Sequence, residues 1–254
     1  MSLTVTRLPQ TLGAVVEGLP EHFDDDTAQA LAAAWAEHLV LFFPQAHLDD
    51  DRLIELGSVF GTLHATSPGR KDDNRNQTVL GPNGEILEID ARHERANAWH
   101  TDVTFAHTPP IGSLLSMRTC PERGGDTMWS NQYRAYETLA EPVRAFVDGL
   151  EAVHGRPPMT GSHTHPVVVT HPVTERKALF VNRGWTTRVE GLSPIESGAV
   201  LGMLFDHAEK PENTVRWSWR VGDAALWDNR CTMHYAVNDY GDAERVLRRV
   251  TMYA

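Results

Sequence analysis

The residue types best suited to metal chemistry are His100 and Asp102, which flank Thr101, and a second histidine far downstream, His234. On an extended strand, alternate side chains point to the same face, so His100 and Asp102 would act together. Two imidazoles and one carboxylate leave about three of six octahedral positions open, which is typical of non-haem Fe(II) oxygenases. The chain has 13 histidines and 34 acidic residues, so the pair alone could be an ordinary polar or core contact. The hypothesis therefore depends on the rest of the sequence.

Two arginines follow the third candidate ligand, Arg245 and Arg249. Their even separation would place both on one face of a strand, and we expect that face to be the one that carries His234. A guanidinium group can donate two parallel hydrogen bonds to a carboxylate or sulfonate. The alternative is that both arginines form surface ion pairs, which is the role expected for Arg248 between them.

Composition excludes several classes of protein. The 254 residues carry a net charge of −11, so no basic face is available to neutralise the phosphates of a nucleic acid. The two cysteines, Cys120 and Cys231, form neither a disulfide framework nor a zinc motif. The N-terminus does not resemble an export signal, and no apolar run is long enough to span a membrane. We expect a cytoplasmic protein without a membrane partner.

Short predicted strands separated by turns dominate the chain. The predicted helices run from Asp24 to His38, from Asp49 to Gly61, from Tyr133 to Asp148 and from Ser193 to Ala208. Residues 99–105 are predicted to be a strand that passes into a loop, and a strand that begins at Trp227 is expected to end at His234. Many strands with a few outer helices favour an antiparallel barrel or sandwich, and without a repeat or linker we expect one domain over residues 1–254.

Five sequence blocks resemble the taurine dioxygenase family, and they occur in that family's order and spacing. The blocks are Trp-His-Thr-Asp-Val-Thr-Phe (99–105), Gly-Gly-Asp-Thr (124–127), His-Pro-Val-Val-Val-Thr-His-Pro (165–172), Phe-Val-Asn-Arg-Gly-Trp-Thr-Thr-Arg (180–188) and Trp-Asp-Asn-Arg-Cys-Thr-Met-His (227–234). The resemblance implies a mainly β fold with flanking helices and a double-stranded β-helix (jelly-roll, cupin-like) core. It also implies a dioxygenase that uses Fe(II), with 2-oxoglutarate and O2 as cosubstrates.

The resemblance assigns roles residue by residue. It implies that His100, Asp102 and His234 are the metal ligands and catalytic centre. It implies that Arg245, helped by Thr127, holds the distal carboxylate of 2-oxoglutarate. Arg249 would face the anionic group of the primary substrate. A homo-oligomer is also expected from the family.

Departures from the family pattern bear on the substrate. Thr66 and Ala96 stand where taurine-specific members carry a histidine and an asparagine, and Trp185 stands in place of a phenylalanine. The segment at residues 153–164 is shorter than the lid of those members. These differences predict a small organic anion such as an alkyl sulfonate, a sulfate ester or an aryloxyalkanoate. Taurine itself is the alternative substrate, and a metal-dependent hydrolase or a non-catalytic metal-binding jelly roll is the alternative class.

Overall fold

The computed structural model describes residues 2–64, 77–90 and 96–254. Over these residues strands are more abundant than helices. In chain order the strands are β1 (Thr4–Arg7), β2 (Ala14–Glu17), β3 (Val40–Phe43), β4 (Thr62–Leu63), β5 (Gln77–Leu80), β6 (Ile86–Asp90), β7 (Gly112–Thr119), β8 (Thr127–Asn131), β9 (Glu151–Gly155), β10 (Ser162–Pro166), β11 (Val168–Thr170), β12 (Lys177–Leu179), β13 (Thr186–Val189), β14 (Thr214–Trp217), β15 (Ala224–Asp228), β16 (Thr232–Ala236) and β17 (Val246–Tyr253). The helices are α1 (Asp25–His38), α2 (Asp50–Ser58), α3 (Gln132–Glu137), α4 (Glu141–Val147) and α5 (Pro194–Ala208).

The helix starts follow from local capping chemistry. The side chain of Asp24 accepts a hydrogen bond from the Thr27 amide and begins α1, and Asp49 does the same for α2 through Arg52. Ser193 and Glu196 form a reciprocal capping box at the start of α5. The predicted starts of these three helices are confirmed. No helix in the described part of the chain is long and apolar enough to cross a membrane.

A nine-stranded sheet forms the largest layer, in the order β1-β2-β3-β15-β7-β17-β6-β5, with β4 paired to β17. Alternate side chains of its central strands point to opposite faces. Leu114, Leu226 and Val250 point to the face covered by α1 and α2. Leu115 and Leu247 point to the other face, which packs against Trp129 and Val215 of the three-stranded sheet β14-β8-β16. The side chains between these two facing sheets include those of the candidate site.

A third apolar cluster lies between helices and the smaller sheets. Residues from α3, α4 and α5 pack there with Val167, Leu179 and Val189. The β9 strand pairs with both β10 and β13, and β11 pairs with β12. This layer lies next to the segments that contain the candidate metal ligands.

The helix predicted from Tyr133 to Asp148 is wrong as a single element. Two helices, α3 and α4, are separated by residues 138–140. Pro142 lies in the first turn of α4, where its missing N–H is tolerated, but it could not continue a helix that began at Tyr133. Phe146, on α4, is 48% exposed and does not belong to the core.

Candidate active site

Two backbone hydrogen bonds bring the candidate histidine ligands side by side. The His100 amide donates to the His234 carbonyl at 2.9 Å, and the His234 amide donates to the His100 carbonyl at 2.7 Å. The two imidazole rings lie 4.1 Å apart between centroids. This isolated antiparallel bridge therefore presents two residues that are distant in sequence on one side of the backbone.

Two expectations about the backbone around these residues are wrong. His234 lies in β16, and a turn separates this strand from β15, which contains Trp227. Residues 102–105 form a turn in which Val103 adopts a φ of 55°, so His100 and Asp102 do not share an extended strand. Asp102 reaches the histidines because the chain turns after the bridge.

The three predicted ligands nevertheless converge. Asp102 Oδ1 lies 3.8 Å from His100 Nε2 and 3.9 Å from His234 Nε2. One ligand atom from each residue falls within 4.8 Å of the other two. Two imidazole nitrogens and one carboxylate oxygen at these distances fit a single metal ion of the Fe(II) class, with the remaining positions open.

The contacts and burial of the two histidines suit metal binding. His100 Nδ1 donates to the Ala98 carbonyl at 2.9 Å, so Nε2 is the ring nitrogen available to a metal ion. Burial, reinforced by the neighbouring His100, lowers the pKa of His234 to about 3. His234 is therefore neutral near pH 7 and able to coordinate.

Asp102 is held as a carboxylate by its partners. Burial acts to raise its pKa, but the Arg249 guanidinium, the two histidines and the Ser113 hydroxyl outweigh burial and hold the pKa well below its usual range. Ser113 Oγ donates to Asp102 Oδ2 at 2.8 Å, and Arg249 donates to Oδ1 at 3.1 Å. The sequence analysis did not identify Ser113. A serine two residues before Leu115, on the same face of an apolar strand, was a signal that could have identified it.

The turn that carries Asp102 is fixed by two buried histidines. His165 Nε2 donates to the Thr104 carbonyl at 2.8 Å, and His154 Nδ1 lies 2.9 Å from the Thr104 hydroxyl. Both histidines are buried, and burial is the main cause that lowers their pKa values. Both histidines therefore have polar structural contacts, and neither is among the clustered candidate ligands of the described residues.

A cavity of about 120 Å³ opens beside the histidines, with Thr127, Arg245 and Arg249 in its wall. Arg245 is 5% exposed and donates to the Gly125 carbonyl at 3.0 Å and to Thr127 Oγ1 at 3.3 Å. Among the described residues, no carboxylate oxygen lies within 4.0 Å of its guanidinium nitrogens. Burial lowers the pKa of Arg245, but a guanidinium stays charged, so within the described part of the chain this cation has no carboxylate in direct contact. A ligand carboxylate fits this position.

The two arginines of β17, Arg248 and Arg249, point to opposite faces of the sheet, as strand alternation requires. Arg249 points to the cavity with Leu247, whereas Arg248 points away and binds Asp50 and Glu88, the latter at 3.0 Å. The ion-pair role predicted for Arg248 is confirmed. Because Arg249 contacts a candidate metal ligand directly, an anion bound to Arg249 would lie next to the metal.

The remaining predicted substrate contacts have different outcomes. Thr66 lies outside the described residues. Ala96 is exposed at the cavity, and its carbonyl accepts a hydrogen bond from Asn238 Nδ2 at 2.8 Å. Trp185 does not line the cavity; its ring packs edge-on against Phe105, with centroids 4.9 Å apart. Residues 153–164 form a hairpin of β9 and β10.

A second group of possible ligand atoms, from His171, Asp228 and Cys231, is a buried structural network. His171 Nδ1 accepts hydrogen bonds from the Val173 and Thr174 amides, so Nε2 carries a proton and donates to Asp228 at 3.1 Å. Arg230 neutralises the same carboxylate with two bonds of 2.6 and 2.9 Å. Cys231 lies in a turn and not on the predicted strand, and burial raises its thiol pKa, so this small buried residue stays protonated.

Gly184 provides a further test of the site. A Cβ at this position would lie 2.7 Å from the His100 Cβ, whereas a Cβ at Gly198 on α5 would contact nothing within 4 Å. We expect Gly184→Ala to displace His100, to weaken metal binding and to destabilise the fold by about 1–3 kcal/mol. Gly198→Ala, the control, should be neutral or stabilising because alanine favours a helix. Thermal unfolding and Mn(II) titration would measure both effects, and equal behaviour of the two variants would contradict the prediction.

Comparison with known proteins places this geometry in context. The family model described as "Taurine catabolism dioxygenase TauD, TfdA family" matches residues 4–251. An alpha-ketoglutarate-dependent sulfate ester dioxygenase from Pseudomonas putida is 36% identical, covering 99% of this chain and 90% of the relative. An alkylsulfatase from Acinetobacter baylyi is 38% identical, covering 98% and 84%. A crystal structure of a taurine dioxygenase from Burkholderia xenovorans superposes with a TM-score of 0.87 at 34% identity, covering 99% and 91%. The predicted jelly-roll fold is confirmed.

Proposed function

Because the chain belongs to the taurine catabolism dioxygenase TauD, TfdA family, and is therefore a 2-oxoglutarate-dependent dioxygenase, we propose that its substrate is a small alkyl sulfate or alkyl sulfonate. The contact between Arg249 and Asp102 carries this proposal, since it puts an anion-binding group beside the candidate metal ligands. The metal-dependent hydrolase considered from the sequence is not supported by this family. We also propose that residues 1–254 form one domain.

His100, Asp102 and His234 are the proposed ligands of Fe(II). Their three donor atoms lie within 4.8 Å of one another, and His100 and His234 line the cavity from which further ligands would come. When bound, Fe(II) with 2-oxoglutarate and O2 supplies the oxidant that attacks a substrate C–H bond. The Ser113 hydroxyl holds one oxygen of Asp102, which leaves the other oxygen to face the histidines.

Arg245 and Thr127 are the proposed site for the distal carboxylate of 2-oxoglutarate. Arg245 is buried without a counterion among the described residues, and Thr127 lines the same cavity. A dicarboxylate bound there would neutralise the guanidinium and extend towards the histidines. Leu115 and Leu247 form apolar parts of the cavity wall and exclude water from this space.

Arg249 is the proposed partner of the substrate anion. Its neighbour on the strand, Arg248, is occupied by Asp50 and Glu88, so only Arg249 of this pair can serve the cavity. A sulfate ester bound by Arg249 would place its first carbon near the metal. Hydroxylation of that carbon gives an unstable product, which breaks down to an aldehyde and inorganic sulfate. The names of the Pseudomonas putida and Acinetobacter baylyi relatives support this substrate class.

A substrate panel tests this proposal. With Fe(II), 2-oxoglutarate and O2, we expect alkyl sulfates of increasing chain length to exceed taurine in kcat/KM by tenfold or more, measured as succinate formed and sulfate released. Arg249→Ala should lower kcat/KM for the best sulfate by about 10- to 150-fold, because a hydrogen bond to a charged group is lost. Arg248→Ala is the matched control and should leave this value unchanged. Taurine as the best substrate, or equal effects of the two variants, would contradict the proposal.

The proposed assembly follows from the family resemblance, and the proposed location follows from the sequence composition. We propose a cytoplasmic homo-oligomer with no nucleic-acid partner. The net charge of −11 supports the absence of nucleic-acid binding. Sedimentation equilibrium would test the oligomer, and a monomer at micromolar concentration would exclude it.

A further inference from the structure

The hydroxyl group of Thr127 accepts two hydrogen bonds. The indole Nε1 of Trp219 donates to Thr127 Oγ1 at 2.9 Å, and the Arg245 guanidinium donates to the same oxygen at 3.3 Å. Thr127 and Trp219 are 4% and 6% exposed, so water does not compete freely for this oxygen. Both donors are N–H groups that cannot accept a hydrogen bond in return.

This arrangement fixes the direction of the Thr127 proton. A hydroxyl has two lone pairs and one proton, and here both lone pairs are engaged. The proton must therefore be donated to a third group. In the described part of the chain no acceptor takes it, and Thr127 lines the cavity beside Arg245.

We propose that Trp219 is a positioning residue that makes Thr127 a hydrogen-bond donor towards the group bound by Arg245. This inference rests on the proposed function, because it concerns the site for the distal carboxylate of 2-oxoglutarate. Trp219 and Arg245 occupy both lone pairs of the Thr127 hydroxyl, so the end of the cavity formed by Thr127 and Arg245 offers a ligand only hydrogen-bond donors. A carboxylate accepts hydrogen bonds from these donors, whereas the NH2 group of a carboxamide would place another donor against them.

Trp219 has further contacts through its backbone and its ring. The Cys120 thiol donates to the Trp219 backbone carbonyl at 3.2 Å, and the indole packs near Trp129 with centroids 6.3 Å apart. Trp217, two residues earlier, donates its indole N–H to Asp223 at 3.2 Å and stacks on Phe42. Trp217 thus has the same kind of bond on the same stretch of chain; it pairs with Thr127 through the backbone of β14 and β8, but its indole N–H donates to Asp223 and not to the Thr127 hydroxyl.

Calorimetric titration of the Mn(II)-loaded protein tests the inference without turnover. The two probes are 2-oxoglutarate and its distal half-amide, 2-oxoglutaramate. We expect Trp219→Phe to weaken 2-oxoglutarate binding by about 5- to 20-fold and the half-amide by less, because a freed lone pair of Thr127 can accept the amide N–H. The preference for the carboxylate should therefore fall, while Mn(II) affinity without cosubstrate stays the same. Trp217→Phe is the control and should retain the full preference.

A second comparison separates positioning from packing. In a Thr127→Val background, Trp219→Phe should cause no further loss of preference, because the hydroxyl it orients is gone. If phenylalanine impairs folding, benzothienylalanine at position 219 removes the N–H donor at nearly constant volume and provides the same measurement. An unchanged preference in folded protein, or equal weakening of both probes, would overturn the inference. Wild-type protein that does not bind 2-oxoglutarate would instead reject the proposed function.

Discussion

Replacing Asp102 with alanine is expected to abolish turnover and to weaken Fe(II) or Mn(II) binding by more than about a hundredfold. Asp102 is the only carboxylate of the converging group, and it is 5% exposed with a pKa held low by Arg249 and the two histidines. Its loss would remove an anionic ligand and leave the positive Arg249 without its partner, so this guanidinium would repel the incoming metal. Equilibrium titration with Mn(II) and succinate formation with Fe(II) would measure the two effects.

Two other variants define the scale of this result. Ser113→Ala keeps the carboxylate but removes its hydrogen bond, so metal affinity should fall by only about 10- to 100-fold at most. Asp148→Ala removes an acid that pairs with Lys177 and Tyr136 away from the cavity, and metal affinity should not change. An Asp102→Ala enzyme with near-wild-type metal affinity and turnover would contradict the assignment of this carboxylate as a ligand.

The elements that the sequence predicted well are those determined by neighbouring residues. The helix starts at Asp24, Asp49 and Ser193 depend on a side chain that caps an amide three residues ahead. The opposite faces of Arg248 and Arg249 depend on strand alternation alone. Pro142 was an equally local signal, but the apolar spacing around it favoured one continuous helix, and the prediction of Tyr133 to Asp148 was wrong for that reason.

The elements that it predicted poorly depend on contacts between distant segments. The bridge between His100 and His234 needs the chain to return beside itself, and no local pattern reports it. The alternation of side chains along a strand was the reason to expect that His100 and Asp102 lie close together, but a turn brings them together. The hydrogen bond from Trp219 to Thr127 could not be predicted, because an apolar tryptophan in the sequence indicates only a position in the core. Family resemblance supplied the ligand set that periodicity could not.

The positions that distinguish this chain from taurine-specific members have different places in the structure. Ala96 lies at the cavity, and its backbone carbonyl is bound to Asn238, while Thr66 lies outside the described residues. Trp185 packs against Phe105 and does not line the cavity. Arg249 and Ala96 are therefore the described residues on which the preference for an alkyl anion over taurine depends, and the substrate panel tests this preference directly.

Removing Arg245 is expected to have the second large effect, this time on the cosubstrate. We expect Arg245→Ala to raise the dissociation constant for 2-oxoglutarate by about 30- to 1,000-fold, since a charge-assisted contact of about 2–4 kcal/mol is lost. Mn(II) binding without cosubstrate should persist, because Arg245 does not contact the three candidate ligands in the described structure. Calorimetric titration of 2-oxoglutarate into the Mn(II)-loaded variant provides the measurement, with Arg248→Ala as the control from the same stretch of chain.

Because Arg245 is buried, removing its charge should also change the stability of the ligand-free protein. A guanidinium that is 5% exposed, without a carboxylate within 4.0 Å among the described residues, opposes folding until an anion arrives. Arg245→Met keeps most of the volume and removes the charge, so the ligand-free variant should be as stable as the wild type or more stable. The gain in thermal stability that 2-oxoglutarate gives the wild type should disappear in the variant. Unchanged 2-oxoglutarate affinity in either variant would show that the carboxylate binds elsewhere, and a large loss of ligand-free stability in Arg245→Met would show that Arg245 is chiefly structural.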